Sequence, residues 1–280
     1  MKRLMIAGIA GLCAAVTFGL ESANIVGYQN KALTENFNFV VNTFKAVGKD
    51  KNAMTLGDIT PTEGVTYGGT IIQLLDDGGA TKVIEDAELG EVDAMFYWVD
   101  AANAKLMGCV PGWYLSADSE CQYCQNDYVL PMGQGYMVEN YDGEISLTYA
   151  GEVYDKGLDV PLADNFNFTG NASPDKVTFG DLIPGDVTTY GGTIIQLLDD
   201  GGATLVIEDA ELGEVDAMFY WVDAANAKLM GCVPGWYLSA DSECQYCQNS
   251  REVPAGSGFM IENYDGENTI TIPSAAPSAE

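Results

Sequence analysis

The sequence predicts an all-β protein, with two tandem homologous domains of β-sandwich-like or irregular barrel form behind a cleaved signal peptide. Three observations carry that expectation. Short apolar runs are punctuated by Gly and Asp turns, with no sustained helical period. Sixty residues occur twice almost verbatim: Tyr67 to Asn126 returns as Tyr190 to Asn249, with the single exchange of Lys82 for Leu205. The first twenty residues combine a basic start with an apolar stretch.

Taken in chain order, Lys2 and Arg3 precede Leu4 to Leu20, which is apolar or small apart from Thr17. Residues 1–23 are therefore read as a secretory signal. The first β domain is placed at 24–155, its repeat at 156–273, and a small, polar, frayed tail at 274–280. Within a unit, Thr55 to Ile59 reads as one short helical turn. Thr70 to Leu75 is an apolar strand, Asp76-Asp77-Gly78-Gly79 a hairpin turn, and Ala80 to Ile84 the returning strand. Met95-Phe96-Tyr97-Trp98-Val99 is apolar on both faces, which marks a central strand. Asp100 to Asn103 then turns the chain and Ala104 to Met107 runs back. Gly135 to Glu139, a turn at Asp142-Gly143 and Glu144 to Tyr149 read as a third hairpin.

Outside the sixty-residue cassette the copies match in pieces. Asn36-Phe37-Asn38-Phe39 returns as Asn165-Phe166-Asn167-Phe168, and Thr55-Leu56-Gly57-Asp58 as Thr178-Phe179-Gly180-Asp181. The first copy has six more residues between these two motifs. That excess is expected in a surface loop, where insertions cost little. The Lys82/Leu205 exchange points to a solvent-facing position, because a buried lysine is costly.

Ser22-Ala23-Asn24-Ile25-Val26-Gly27-Tyr28 after the signal, with units ending in Pro-x-Gly-x-Gly-aromatic, resembles a group of secreted bacterial proteins of unknown function. Those proteins carry one or two such β-rich domains. The resemblance implies export and fold and brings no activity with it.

Composition removes several function classes. Lys plus Arg number 12 against 41 Asp plus Glu, a net charge of −29. Such a surface repels phosphate, so neither nucleic acid nor an anionic membrane surface is an expected partner. The chain has no histidine. Triad hydrolases, Cys–His nucleophiles and imidazole metal sites are thereby excluded.

Cysteine is the most informative residue type. Each unit holds three, Cys109, Cys121 and Cys124 with their copies Cys232, Cys244 and Cys247. Three thiolates without histidine fall short of a structural zinc set. The Cys121-Gln122-Tyr123-Cys124 stretch has Asp118 and Glu120 beside it, not the cations that activate a redox pair. Export favours disulfides. A bond from Cys109 closes the longer loop, and one thiol per unit is left over. No metal or cofactor is expected beyond calcium. Its candidate ligands are Glu85, Asp86 and Glu88, with Glu208, Asp209 and Glu211. Trp113 and Tyr114, with Trp236 and Tyr237, are candidates for stacking on a glycan.

No catalytic motif emerges. The expected function is that of a non-catalytic secreted or cell-surface structural or adhesive protein, an assembling surface subunit. The alternatives are a carbohydrate-binding protein with one aromatic site per domain and a hydrolase working through carboxylates alone. The partners are copies of itself, or extracellular glycan or protein. The location is extracellular or the cell surface, with the periplasm as the alternative.

Overall fold

Strand follows strand because most apolar runs here are four to nine residues long and end at Gly, Asp or Asn. The structure is a computed structural model that describes residues 26–46, 53–62, 65–153, 157–185 and 190–273. The signal peptide expected at 1–23 and the tail expected at 274–280 lie outside these residues.

The first half runs β1 (Val26–Leu33), β2 (Asn36–Val41), β3 (Phe44–Lys45), β4 (Ala53–Thr55), a 3-10 turn (Leu56–Asp58), β5 (Ile59–Pro61) and β6 (Thr70–Gln73). It continues with β7 (Val83–Asp86), β8 (Gly90–Asp93), β9 (Met95–Val99), α1 (Ala101–Met107), β10 (Gly112–Leu115), β11 (Val129–Pro131), β12 (Gly135–Asn140) and β13 (Ile145–Val153). A five-stranded antiparallel sheet has the order β10-β9-β6-β12-β2. A second sheet has β13 at its centre, paired with β1, β3 and β5. Two small ribbons, β4-β11 and β7-β8, complete the half. The core forms where both sheets contribute inward residues, among them Val40, Ile72, Phe96, Trp113 and Tyr136 from one and Leu33, Phe44, Ile59, Leu147 and Tyr149 from the other. Two polar contacts cross this core and satisfy the groups that make them. The Tyr136 hydroxyl donates to Tyr149 Oη at 2.9 Å, and Trp113 Nε1 donates to the Ile59 carbonyl at 2.9 Å.

The second half repeats the plan with β14 (Leu158–Leu162), β15 (Asn165–Gly170), β16 (Val177–Thr178), a 3-10 turn (Phe179–Asp181), β17 (Ile183–Pro184), β18 (Thr193–Gln196), β19 (Val206–Asp209) and β20 (Gly213–Asp216). It ends with β21 (Met218–Val222), α2 (Ala224–Met230), β22 (Gly235–Leu238), β23 (Glu252–Val253), β24 (Gly258–Asn263) and β25 (Asn268–Ile272). Its five-stranded sheet runs β15-β24-β18-β21-β22, the counterpart of the first. It has its own buried cluster, centred on Phe179, Phe219, Trp236, Phe259 and Ile261.

The expected central strand is confirmed: β9 lies between β6 and β10. So is the helical turn, which is closed by Thr55 N–H and hydroxyl both donating to Asp58 Oδ2. Three expectations need correction. Asp100 to Met107 is not a turn and a returning strand but an N-cap and helix. The Asp100 carboxylate accepts from Asn103 N–H at 2.7 Å, and Gly108 closes the other end at φ 77°. Ala80 to Ile84 returns only as far as the Leu75–Thr81 bridge and the bond from Lys82 N–H to the Leu74 carbonyl. Val83 onward leaves to form the β7-β8 ribbon. Gly135 to Tyr149 is not a hairpin, because β12 and β13 belong to different sheets and the Asp142-Gly143 turn carries the chain between them. Lys82 is exposed, as expected, while Leu205 is half-buried.

The six extra residues of the first half accompany β3, which has no strand counterpart in the second half among the described residues; residues 47–52 lie outside them. Lys45 on β3 sits 3.1 Å from the buried Glu152 carboxylate on β13, which joins the added strand to the sheet.

The two halves meet along β2 and β15, the edge strands of the large sheets. Across the seam, Phe37 N–H donates to the Asp200 carbonyl and Val41 N–H to the Gly256 carbonyl, each at 3.2 Å. Thr169 Oγ1 donates to the Gly133 carbonyl at 2.7 Å. The close approaches are reciprocal. Gly135 faces the backbone of Phe168 and Thr169, and its copy Gly258 faces the backbone of Phe39 and Val40. The Phe168 ring lies over Gly79, and the Phe39 ring over Gly202. Residue i touching j while the copy of j touches the copy of i is the signature of a two-fold contact, here built inside one chain. Each half thereby covers an edge strand that would otherwise invite pairing with another chain.

This seam explains the Asn-Phe-Asn-Phe motif. Asn36 and Asn165 take positive φ (76° and 71°), which Asn tolerates better than most residues. Asn38 and Asn167 clamp the preceding turn through the backbone of Thr34 and Ala163. The second Phe reaches the other half.

Candidate functional site

Each half gathers its three cysteines at the outer end of the large sheet, where α1 and the loop after β10 close over the edge strand. The loop satisfies that edge directly. Trp113 N–H donates to Asn126 Oδ1 at 3.0 Å, Gln125 N–H donates to the Trp113 carbonyl at 2.7 Å, and Cys124 bridges Tyr114. Asp118, buried, holds the loop by accepting from Gln122 N–H at 3.1 Å and Tyr123 N–H at 2.7 Å. Cys121 is 4% exposed and takes φ 53°, a backbone state that a non-glycine residue adopts only when its surroundings fix it.

Around Cys121 Sγ the polar atoms are hydroxyls. Tyr97 Oη lies 3.2 Å away and donates to the Asp118 carbonyl at 2.7 Å; Tyr67 Oη is 3.9 Å from the sulfur, and Met107 Sδ 3.8 Å. The copy repeats this with Tyr220, Tyr190 and Met230 around Cys244. Burial pushes the Cys109 thiol above its ordinary value, and the neighbouring Cys121 adds to the rise against an opposing hydrogen bond from Tyr114. Burial likewise raises Cys232, Tyr97, Tyr114, Tyr220 and Tyr237. A thiol held protonated is a poorer nucleophile, which is the direction burial gives Cys109 and Cys232. Cys109, Cys121 and Cys124 pack in one cluster, but the disulfide expected from Cys109 is not formed here. All six described cysteines are free thiols, with no pair at bonding distance.

The other candidates are placed differently. Trp113, Tyr114, Trp236 and Tyr237 are each 0% exposed. That corrects the stacking expectation: in a four-residue strand that is buried throughout, no ring face is open to a sugar. Glu85 and Glu88 are exposed on the β7-β8 ribbon, and Glu85 stands directly opposite Glu91. Asp86 is occupied otherwise, accepting from Glu88 and Leu89 N–H at 3.0 Å and from Gln125 Nε2 at 3.1 Å. Glu208, Asp209 and Glu211 follow the same plan. Among the described residues no group of three or more acidic or cysteine side chains is placed to hold a metal ion. No described helix is long and apolar enough to cross a membrane.

Sequence reasoning missed an exposed apolar tip above each cysteine cluster: Leu106, Met107 and Val110, with Leu229, Met230 and Val233 in the copy. Only recognition of α1 as a helix would have revealed it, since Leu106 and Met107 then fall on its outer face.

No family of proteins matches the chain by sequence, and no curated protein matches it.

Proposed function

We propose that the chain is an exported, non-catalytic structural protein of two tandem sandwich-like domains that assembles through the contact its repeats make with each other. The observation that carries this reading is the reciprocal seam, a surface on each half that recognises the other repeat. Val153 ends the first half and Leu158 begins the second. The same contacts form between molecules when the first half of one chain seats on the second half of the next, the route by which domain exchange builds oligomers. The paired apolar tips support the reading, because each chain presents the same small hydrophobic patch twice. So do the cysteines. The six thiols are unpaired in this structure, and oxidation of one pair per half on export would leave one thiol in each half for cross-linking between chains. The signal-like first residues support export. The glycan reading rested on aromatic residues that the structure buries.

Sedimentation velocity of the mature chain under reducing conditions tests the proposal. Oligomers that grow with protein concentration are expected. A single monomer boundary at every concentration overturns it.

A further inference from the structure

Two clefts flank the seam, one on each side of its pseudo-two-fold axis. The first, about 530 Å³, is lined by Asp76, Lys82 and Met132 of the first half and by Val160, Pro161 and Phe168 of the second. The other, about 420 Å³, is lined by Lys31, Ala32 and Phe39 of the first half and by Leu198, Asp199 and Leu205 of the second. Aligning the two Asn-Phe-Asn-Phe motifs sets Lys31 on Val160, and the sixty-residue cassette sets Lys82 on Leu205. Each cleft therefore holds one lysine and one aliphatic side chain, drawn from opposite halves and in opposite order. The single exchange in sixty otherwise identical residues falls where the facing half carries the complementary exchange.

We infer that these two exchanges are a pairing rule: the seam accepts an unlike repeat as its partner, in the same chain or in a second copy, and disfavours two like repeats. Two first-type repeats would bring Lys31 and Lys82 together in both clefts. Two second-type repeats would bring Val160 and Leu205 together and lose the polar contact of the seam, in which Lys31 Nζ donates to Ser257 Oγ at 3.0 Å. The neighbours are differentiated in the same sense. Val160 and Leu158 pack against Gly133 on one side, where Gln29 lies by Gly256 on the other. Burial already lowers the pKa of Lys31. A second ammonium in that cleft adds like-charge repulsion to the desolvation that Lys31 bears.

The rule rests on the same surface as the assembly reading but is tested within one chain, so sedimentation judges assembly separately. The experiment is a thermal-unfolding cycle on the full mature chain with L205K, K31V and the L205K/K31V double variant. L205K is expected to lower Tm by about 2–4 °C, a loss that shrinks in high salt. The double variant, which restores one lysine to the cleft, is expected to recover most of that loss. V160K with K82V gives the equivalent cycle in the other cleft and decides the matter should L205K fail to fold. Additive effects, with the lysine costing as much after its facing lysine is removed, overturn the inference.

Discussion

Adding one methyl group to Gly258 probes the seam with little else disturbed. A Cβ there would lie 2.7 Å from Val40 N and 2.8 Å from the Phe39 carbonyl carbon, closer than such atoms approach in proteins. Both neighbours are backbone, so no side chain can rotate away and the two halves must separate locally. Overpacking of this kind costs roughly 1–3 kcal/mol. Gly258 is not held at positive φ. Alanine therefore recovers about 0.4–1 kcal/mol by restricting the unfolded chain, leaving a net loss on the order of 1–2 kcal/mol for Gly258→Ala. The seam is reciprocal, so Gly135→Ala should lose a similar amount, its Cβ falling 2.8 Å from Thr169 N and from the Phe168 carbonyl carbon. Urea unfolding of the two variants measures both losses. Unchanged stability in both would refute the close approach, and a loss at only one would refute the reciprocity.

Four further outcomes are expected. Tyr97→Phe removes the hydroxyl that donates to the Asp118 carbonyl, which keeps a second donor in Cys121 N–H, so the loss should be about 1 kcal/mol; Tyr220→Phe should match it in chemical denaturation, and a difference larger than the single loss would mean the halves are not equivalent. Burial raises the pKa of Tyr97, Tyr114, Tyr136 and Tyr149 above their ordinary 10.0, so the stability they add is intact below that pH and is lost as pH climbs through the folded values. Tyrosinate absorbance should then rise together with loss of near-ultraviolet dichroism, and titration of every tyrosine near pH 10 in an intact fold would contradict this. Because Asp86 and Asp209 are already tied to turn amides, melting curves with calcium and with chelator should coincide; a stabilising shift with calcium would show a site that the geometry does not provide. Mass spectrometry of native protein alkylated at lysis should find one bond from Cys109 and one blocked thiol per half, whereas a Cys121–Cys124 bond or three blocked thiols would count against it.

The sequence was most legible where one residue type has one physical use. Met95 to Val99, apolar on both faces, could only be central, and the duplicated cassette required two matching sets of strands. It was least legible where a short segment serves tertiary structure. The helix Ala101–Met107 has too few residues to show a period, and its signals were the Asp100 cap and the Gly108 stop. The hairpin expected at Asp142-Gly143 failed because a turn fixes chain reversal but not which sheet receives the next strand. At the candidate site the three cysteines of each half share one cluster, but the spacing did not reveal that none stands at bonding distance from another. The stacking expectation for Trp113 and Tyr114 failed because a strand edge covered by its own loop is buried, and only the fold reveals that cover. Lys82 against Leu205 was legible as a difference, but the residues that face them, Val160 opposite Lys82 and Lys31 opposite Leu205, became visible only once the halves were docked.

Immunogold electron microscopy of the surface of cells that export the native protein tests the assembly claim most directly. Label tracking a filament or a regular layer outside the cell is the expected result. Label confined to the cell interior, or scattered outside with no ordered structure beneath it, would contradict an exported protein that builds structure by recognising its own repeats.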